Sequence, residues 1–259
     1  MSRIRLDHLL VSRGLAETRS KAQALVLAGA VRVNGVAQKR PAQPIDEASS
    51  VEVVAALPYV SRGGFKLAHA LDTFGLEPNG LVGLDAGAST GGFTDVLLQR
   101  GAKYVYAVDV GYGILDWRLR QDPRVITVER TNIRYLTQLP PLPNTPLDAP
   151  APHAECAVID VAFISLRIVL PAVQHLILPG AWVVALIKPQ FEAGAHEVGR
   201  GGVVRDPAIH ERVIRDVLAA ATTLGFVPRG QTRSPLTGPA GNVEFLAWLE
   251  YPVTAEPRR

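Results

Sequence analysis

The chain has 259 residues, 47% of them hydrophobic, which is enough for one large α/β domain and a small second one. No run of about 18 apolar residues is present to span a membrane, the Met-Ser-Arg-Ile-Arg start lacks the apolar core of a secretory signal, and a single cysteine excludes an internal disulfide framework; a cytoplasmic location is expected. The net charge is only +3, yet residues 1–40 carry eight Lys/Arg against Asp7 and Glu17, so a basic head precedes a mildly acidic body, the footprint of a protein that meets a polyanion. Six scattered His residues show no ligand spacing, so no metal is expected.

Residues 5–14 predict a helix with Leu6, Leu9 and Leu10 on its apolar side, ended at Gly14. Residues 18–29 predict a second, with Thr18 or Ser20 near its cap and Gly29 at its end. Val31-Arg-Val-Asn34-Gly35-Val-Ala then reads as strand, Asn-Gly turn, strand. Arg5-Leu-Asp7, Ser20-Lys21-Ala22, Gly29 and Val31-x-Val-Asn34-Gly35 resemble the S4-type RNA-binding domain. That resemblance implies that Arg3, Arg5, Arg13, Arg19, Lys21, Arg32, Lys39 and Arg40 track structured RNA through its phosphates and shape. Val51–Val54 is a further strand, and three prolines between 40 and 60 place a boundary close by: residues 1–54 as one domain, 55–64 as linker, 65–259 as the second.

Phe65–Phe74 predicts a helix that starts with Lys66 near the edge of the following strand. Leu81-Val-Gly-Leu-Asp85 reads as a buried parallel strand, Gly87, Gly91 and Gly92 as a tight turn, and Phe93–Arg100 as a helix. Strand, glycine turn and helix form the cofactor corner of a doubly wound sheet. The spacing is neither Gly-x-Gly-x-x-Gly nor a phosphate loop, and S-adenosylmethionine is the ligand that fits. The turn residues Asp85, Gly87, Ala88, Ser89, Thr90, Gly91, Gly92 and Phe93 are its candidate contacts. Tyr104–Asp109 is a second strand whose terminal Asp109 can take ribose hydroxyls, with Val110 beside it. Arg124–Val128 is a third, and its loop brings Asn132 to the adenine position.

Six prolines in residues 138–153 predict irregular surface. Ala154–Asp160 is a fourth strand, residues 165–178 a helix stopped by Pro179-Gly180, and Ala181–Pro189 a fifth strand that brings Lys188 to its carboxyl end. The glycine-rich loop from Phe191 to Gly202 is a candidate lid. Asp206–Leu224 is a long amphipathic helix, and Gly241–Glu250 a closing strand whose antiparallel course would bring Glu244 to the same edge. Lys66, Asp160, Lys188 and Glu244 thus gather beside the cofactor turn.

The turn from Asp85 to Thr94 resembles the TlyA family, as do Val108–Gly113, Glu129–Asn132, Asp160-x-x-Phe163-Ile164-Ser165-Leu166, Lys188–Glu192 and Gly241–Glu244. Those proteins are S4-domain ribosomal RNA methyltransferases with an FtsJ-like catalytic half. The resemblance implies a Rossmann-like methyltransferase domain behind a small α+β S4 domain, and S-adenosylmethionine as methyl donor. It implies a ribose 2′-hydroxyl as acceptor, of a cytidine in 16S and/or 23S rRNA, and ribosomal RNA or ribosomal subunits as partners. By position, the family's catalytic tetrad falls on Lys66, Asp160, Lys188 and Glu244, with Asp160 also among the cofactor contacts. Ala162 departs from the family's usual Ser. Asp160-Val-Ala-Phe163 is not the Asn/Asp-Pro-Pro-aromatic run of amino-group methyltransferases, and Cys156, inside a strand, is placed as core and not as a nucleophile. Two other classes are weighed: a non-catalytic RNA-binding protein with this fold, and a haemolysin, a label the family has carried, which the lack of an amphipathic membrane helix disfavours.

Overall fold

The computed structural model describes residues 3–27, 29–38, 40–54, 58–146 and 149–253. The chain divides into two compact units, residues 1–62 and 63–259.

In the first unit, β1 (Arg3–Arg5) runs into α1 (Leu6–Ser12), followed by α2 (Arg19–Leu27), β2 (Val31–Val33), β3 (Val36–Ala37), β4 (Pro44–Asp46) and β5 (Val51–Val53). β1 pairs antiparallel with β4, and β2 lies between β3 and β5. Asn34 and Gly35 both adopt positive φ, as a two-residue hairpin turn requires. Leu6, Leu9 and Leu10 pack with Ala22, Leu25 and Val26 over β2 to make the core. The first helix begins one residue later than the leucine pattern suggested, because Arg3–Arg5 are drawn into the short ladder with β4.

The second unit contains α3 (Gly63–Phe74), β6 (Val82–Ala86), α4 (Gly92–Gln99), β7 (Tyr104–Val108), α5 (Trp117–Gln121), β8 (Val125–Val128), β9 (Ala154–Ile159), α6 (Leu166–Leu176), β10 (Ile177–Ile187), α7 (Pro189–Glu192), α8 (Pro207–Thr223), β11 (Val227–Arg233) and β12 (Phe245–Glu250). They form a seven-stranded sheet in the order β11-β12-β10-β9-β6-β7-β8. β8, β7, β6, β9 and β10 are parallel, and β12 runs antiparallel to both β10 and β11. Strands β6 and β9 are buried along nearly their whole length, which explains their continuous apolar runs. The order reverses between β6 and β9, and the carboxyl ends of these strands form the crevice where doubly wound folds bind ligands.

The structure corrects three local expectations. The helix after Ser165 ends at Leu176, not Leu178, and β10 starts at Ile177. Pro179-Gly180 do not stop the helix; they lie in an irregularity of β10, between Ile177 and Trp182, where Gly180 takes φ +93° and donates its N–H to the Tyr251 carbonyl. The closing strand begins at Phe245, so Gly241–Glu244 is the turn that feeds it.

Candidate active site

Asp85 sits inside β6, fully buried. Its Oδ2 accepts a hydrogen bond of 2.7 Å from the Thr94 hydroxyl on α4, while Oδ1 is buried with no partner. Burial, reinforced by the nearby carboxylates of Asp160 and Asp109, pushes its pKa up to about 7. A half-satisfied buried carboxylate leaves one oxygen in want of a donor.

The turn after β6 is shaped by its neighbours. Gly87 has φ +89°, and a Cβ there would lie 2.5 Å from the Asp160 carbonyl oxygen. A Cβ on Gly91, at φ +93°, would lie 2.3 Å from Leu119 Cδ1. Ala88 and Phe93 are buried beneath the turn and Thr90 is exposed. Asp109, just past β7, accepts from the Ser89 N–H at 2.8 Å and the Gly111 N–H at 2.7 Å, which locks the turn to the next loop. A cleft of about 1050 Å³ opens here. Of the sequence candidates, Gly87, Ser89, Asp109, Val110, Asn132 and Asp160 line it; Asp85, Ala88, Thr90, Gly91, Gly92 and Phe93 do not. Gly92 opens α4, and its buried position supports the turn.

Lys188, one residue past β10, also lines the cleft. Its ammonium lies 2.6 Å from Asp160 Oδ1, at an angle outside hydrogen-bond geometry. Lys66, in the first turn of α3, donates to Glu244 Oε2 at 2.5 Å; the two side chains are 11% and 1% exposed. Ile187 stands opposite Phe245 in the β10–β12 ladder, so one step further sets Lys188 opposite Glu244. Two ammonium–carboxylate pairs therefore stand side by side at the sheet edge. Neither lysine is left to face the other unscreened: each has its own carboxylate.

Other residues hold this edge, and sequence reasoning gave them no role. Buried Glu192 accepts from the Ser165 hydroxyl and the Leu166 N–H, each at 2.6 Å, tying the turn after Lys188 to the start of α6; burial pushes its pKa up. Buried Asn242 accepts from the Val204 N–H and donates to the Gly202 carbonyl, anchoring the glycine-rich loop beside Glu244. Glu197 bonds to both the Gly194 N–H and Arg212, so that loop is also tied near its start. Phe163, at φ +63°, is 90% exposed at the cleft, its ring 5.1 Å from that of Phe191. The pairing of an aspartate at a strand end with an aromatic three residues on was the available signal. Cys156 is fully buried, and burial pushes its thiol pKa well up.

In the first unit, Arg5 and Arg19 both bind buried Asp7, Lys21 pairs with Glu17, and Arg13 donates to the carbonyls of Glu47 and Ser49. Arg3, Arg32 and Arg40 are exposed; Lys39 lies outside the described residues.

An FtsJ-like methyltransferase family model matches residues 59–251, and an S4-domain model matches residues 4–51. The TlyA 16S/23S rRNA (cytidine-2′-O)-methyltransferase of Mycobacterium tuberculosis is 46% identical, covering 95% of this chain and 90% of its own. The chain belongs to the TlyA family. Bacillus subtilis YqxC, which carries the name of an rRNA methyltransferase, is 48% identical over 96% of this chain and 86% of its own. A solved structure from Streptococcus thermophilus that carries a hemolysin label is 46% identical, covers 97% of this chain and 90% of that one, and superposes with a TM-score of 0.72. TlyA relatives thus bear two different labels. Among the described residues no helix is long and apolar enough to cross a membrane, and no group of three or more His, Cys, Asp or Glu could hold a metal.

Proposed function

We propose that the protein transfers a methyl group from S-adenosylmethionine to a ribose 2′-hydroxyl of ribosomal RNA, at a cytidine as named for its Mycobacterium tuberculosis relative. The observation that carries this reading is the Lys188–Asp160 pair in the cleft wall, with the buried Lys66–Glu244 pair one strand over behind it.

The residues fit the cofactor. The orphaned Oδ1 of buried Asp85 suits an ammonium, and the Cβ-free approach at Gly87 brings backbone to the cleft wall. Asp109 keeps lone pairs beyond its two backbone N–H partners, enough for ribose hydroxyls, and Val110 and Asn132 bound the adenine side. When bound, the cofactor supplies an electrophilic methyl on a sulfonium.

The protein's own groups do the rest. A ribose hydroxyl is a weak acid, so its oxygen must lose a proton as it attacks. Once its ammonium has released a proton to solvent, Lys188 takes the hydroxyl proton, and Asp160 holds the Lys188 amine in place. Lys66, fixed by Glu244, puts positive charge beside the developing alkoxide. Most of the acceleration comes from holding the hydroxyl in line, a contribution worth up to about 7–11 kcal/mol in well-oriented systems.

The test is label transfer from radiolabelled S-adenosylmethionine to unmethylated ribosomal subunits, mapped by alkaline hydrolysis. Label at one position that also resists alkaline cleavage supports the reading. Label on a base refutes the acceptor, and no label despite bound cofactor favours a binding-only protein.

A further inference from the structure

We propose that Glu192 is a positioning residue for methyl transfer, clamping the segment that carries Lys188 to the segment that carries Asp160. The proposal rests on Lys188–Asp160 being the working pair of the site, and adds the residue that sets its spacing.

The two segments need a clamp. Asp160 follows β9 and Lys188 follows β10, and the ladder between these strands ends at Ile159 and Ala185. Beyond that rung, among the described residues, every hydrogen bond that joins residues 160–167 to residues 188–193 ends on Glu192. Its Oε2 accepts from the Ser165 hydroxyl and its Oε1 from the Leu166 N–H, each at 2.6 Å, while its own carbonyl accepts from Arg167 at 3.5 Å. The side chain is only 3% exposed, so water does not compete for these bonds.

Glu192 is coupled to Lys188 by a single turn. Pro189 is buried at the start of α7, the Phe191 N–H bonds to the Lys188 carbonyl and the Ala193 N–H to that of Pro189, both at 2.9 Å. Four residues of helix rise about 6 Å, so a displacement of Glu192 is felt at Lys188. On the other side Ser165 caps α6, accepting from the Arg167 N–H at 3.2 Å. Between it and Asp160 lies Phe163 at φ +63°, a strained conformation that persists only while both ends of its loop are held.

Glu192 does not line the cleft, so its effect on the reaction passes through Lys188 and Asp160. Its role is geometric. A glutamine offers an oxygen to the Leu166 N–H and an N–H to the Ser165 oxygen, and keeps the clamp without the charge.

The test is a double-mutant cycle in the full chain: wild type, Glu192→Ala, Lys188→Ala and the double variant, with Glu192→Gln beside them. Single-turnover methyl transfer to unmethylated ribosomal subunits gives the rate constant, and calorimetry gives S-adenosylmethionine affinity. The expected result is that Glu192→Ala slows transfer at least tenfold, with cofactor affinity unchanged, and that Glu192→Gln stays within threefold of wild type. In the Lys188→Ala background, Glu192→Ala should change the rate by less than twofold. Should Glu192→Ala fail to fold, Ser165→Ala takes its place in the cycle, with at least a threefold loss expected in the wild-type background alone. A wild-type rate in Glu192→Ala overturns the clamp, as does the same fold-loss with and without Lys188, or a glutamine variant as slow as the alanine one. No transfer by the wild type overturns the methyl-transfer reading itself.

Discussion

Asp85 shows how one residue's surroundings set a measurable property. Its carboxyl is pushed up to about 7 by burial, so between about pH 4 and 7 the folded chain holds a proton that the unfolded chain has released. The sign follows: without ligand, stability falls as pH rises through that window. Cofactor affinity runs the other way, since an ammonium needs the ionised form. Calorimetric titration should show S-adenosylmethionine binding weaken by roughly tenfold per pH unit below 7, and Asp85→Asn should remove that dependence. The Lys66–Glu244 pair makes a second prediction. Lys66→Met alone strands a buried carboxylate and should cost about 3–5 kcal/mol in denaturant unfolding; adding Glu244→Leu should restore most of that stability without restoring methyl transfer.

At the scale of elements, the strand ends decide where the chemistry lies. Gly87→Ala would drive a Cβ into the Asp160 carbonyl at a positive φ, moving the very residue that holds Lys188. Unfolding should register a loss of about 1–3 kcal/mol, with cofactor affinity lowered as well. The parallel strands were legible because β6, β9 and β10 are buried on both faces and read as apolar runs. β11 was not legible: Val227–Arg233 alternates without a clear apolar face, contains Pro228 and Gly230, and is a strand because β12 offers it a ladder. Pro179-Gly180 misled for the opposite reason, since a helix stop and a strand bulge use the same residues. Asp160 and Lys188 could be placed at the edge from their strand ends; naming Lys66, on a helix, and Glu244, just ahead of an antiparallel strand, took the family resemblance as well. Their division into two ion pairs could not be read, because it depends on how α3 lies against β12.

At the scale of the molecule, charge is unevenly spread, and the structure sorts the basic head by role. Arg5 and Arg19 neutralise buried Asp7, and their contacts hold its carboxyl well below the usual range. Removing either should lower the thermal midpoint. Arg32 and Arg40, exposed in the same unit, should instead govern RNA affinity: alanine at both should weaken binding and reduce the slope of log affinity against log salt by roughly one to two, with the thermal midpoint unchanged. Domain and sheet together leave one claim on which the rest depends, that the paired lysines and carboxylates at the sheet edge carry out 2′-O-methyl transfer. Single-turnover methyl transfer to unmethylated ribosomal subunits, wild type against Lys188→Ala with cofactor affinity measured in parallel, tests it most directly. The account predicts that the rate constant falls by at least a hundredfold while cofactor affinity holds. A Lys188→Ala enzyme that methylates ribose at the wild-type rate would contradict it.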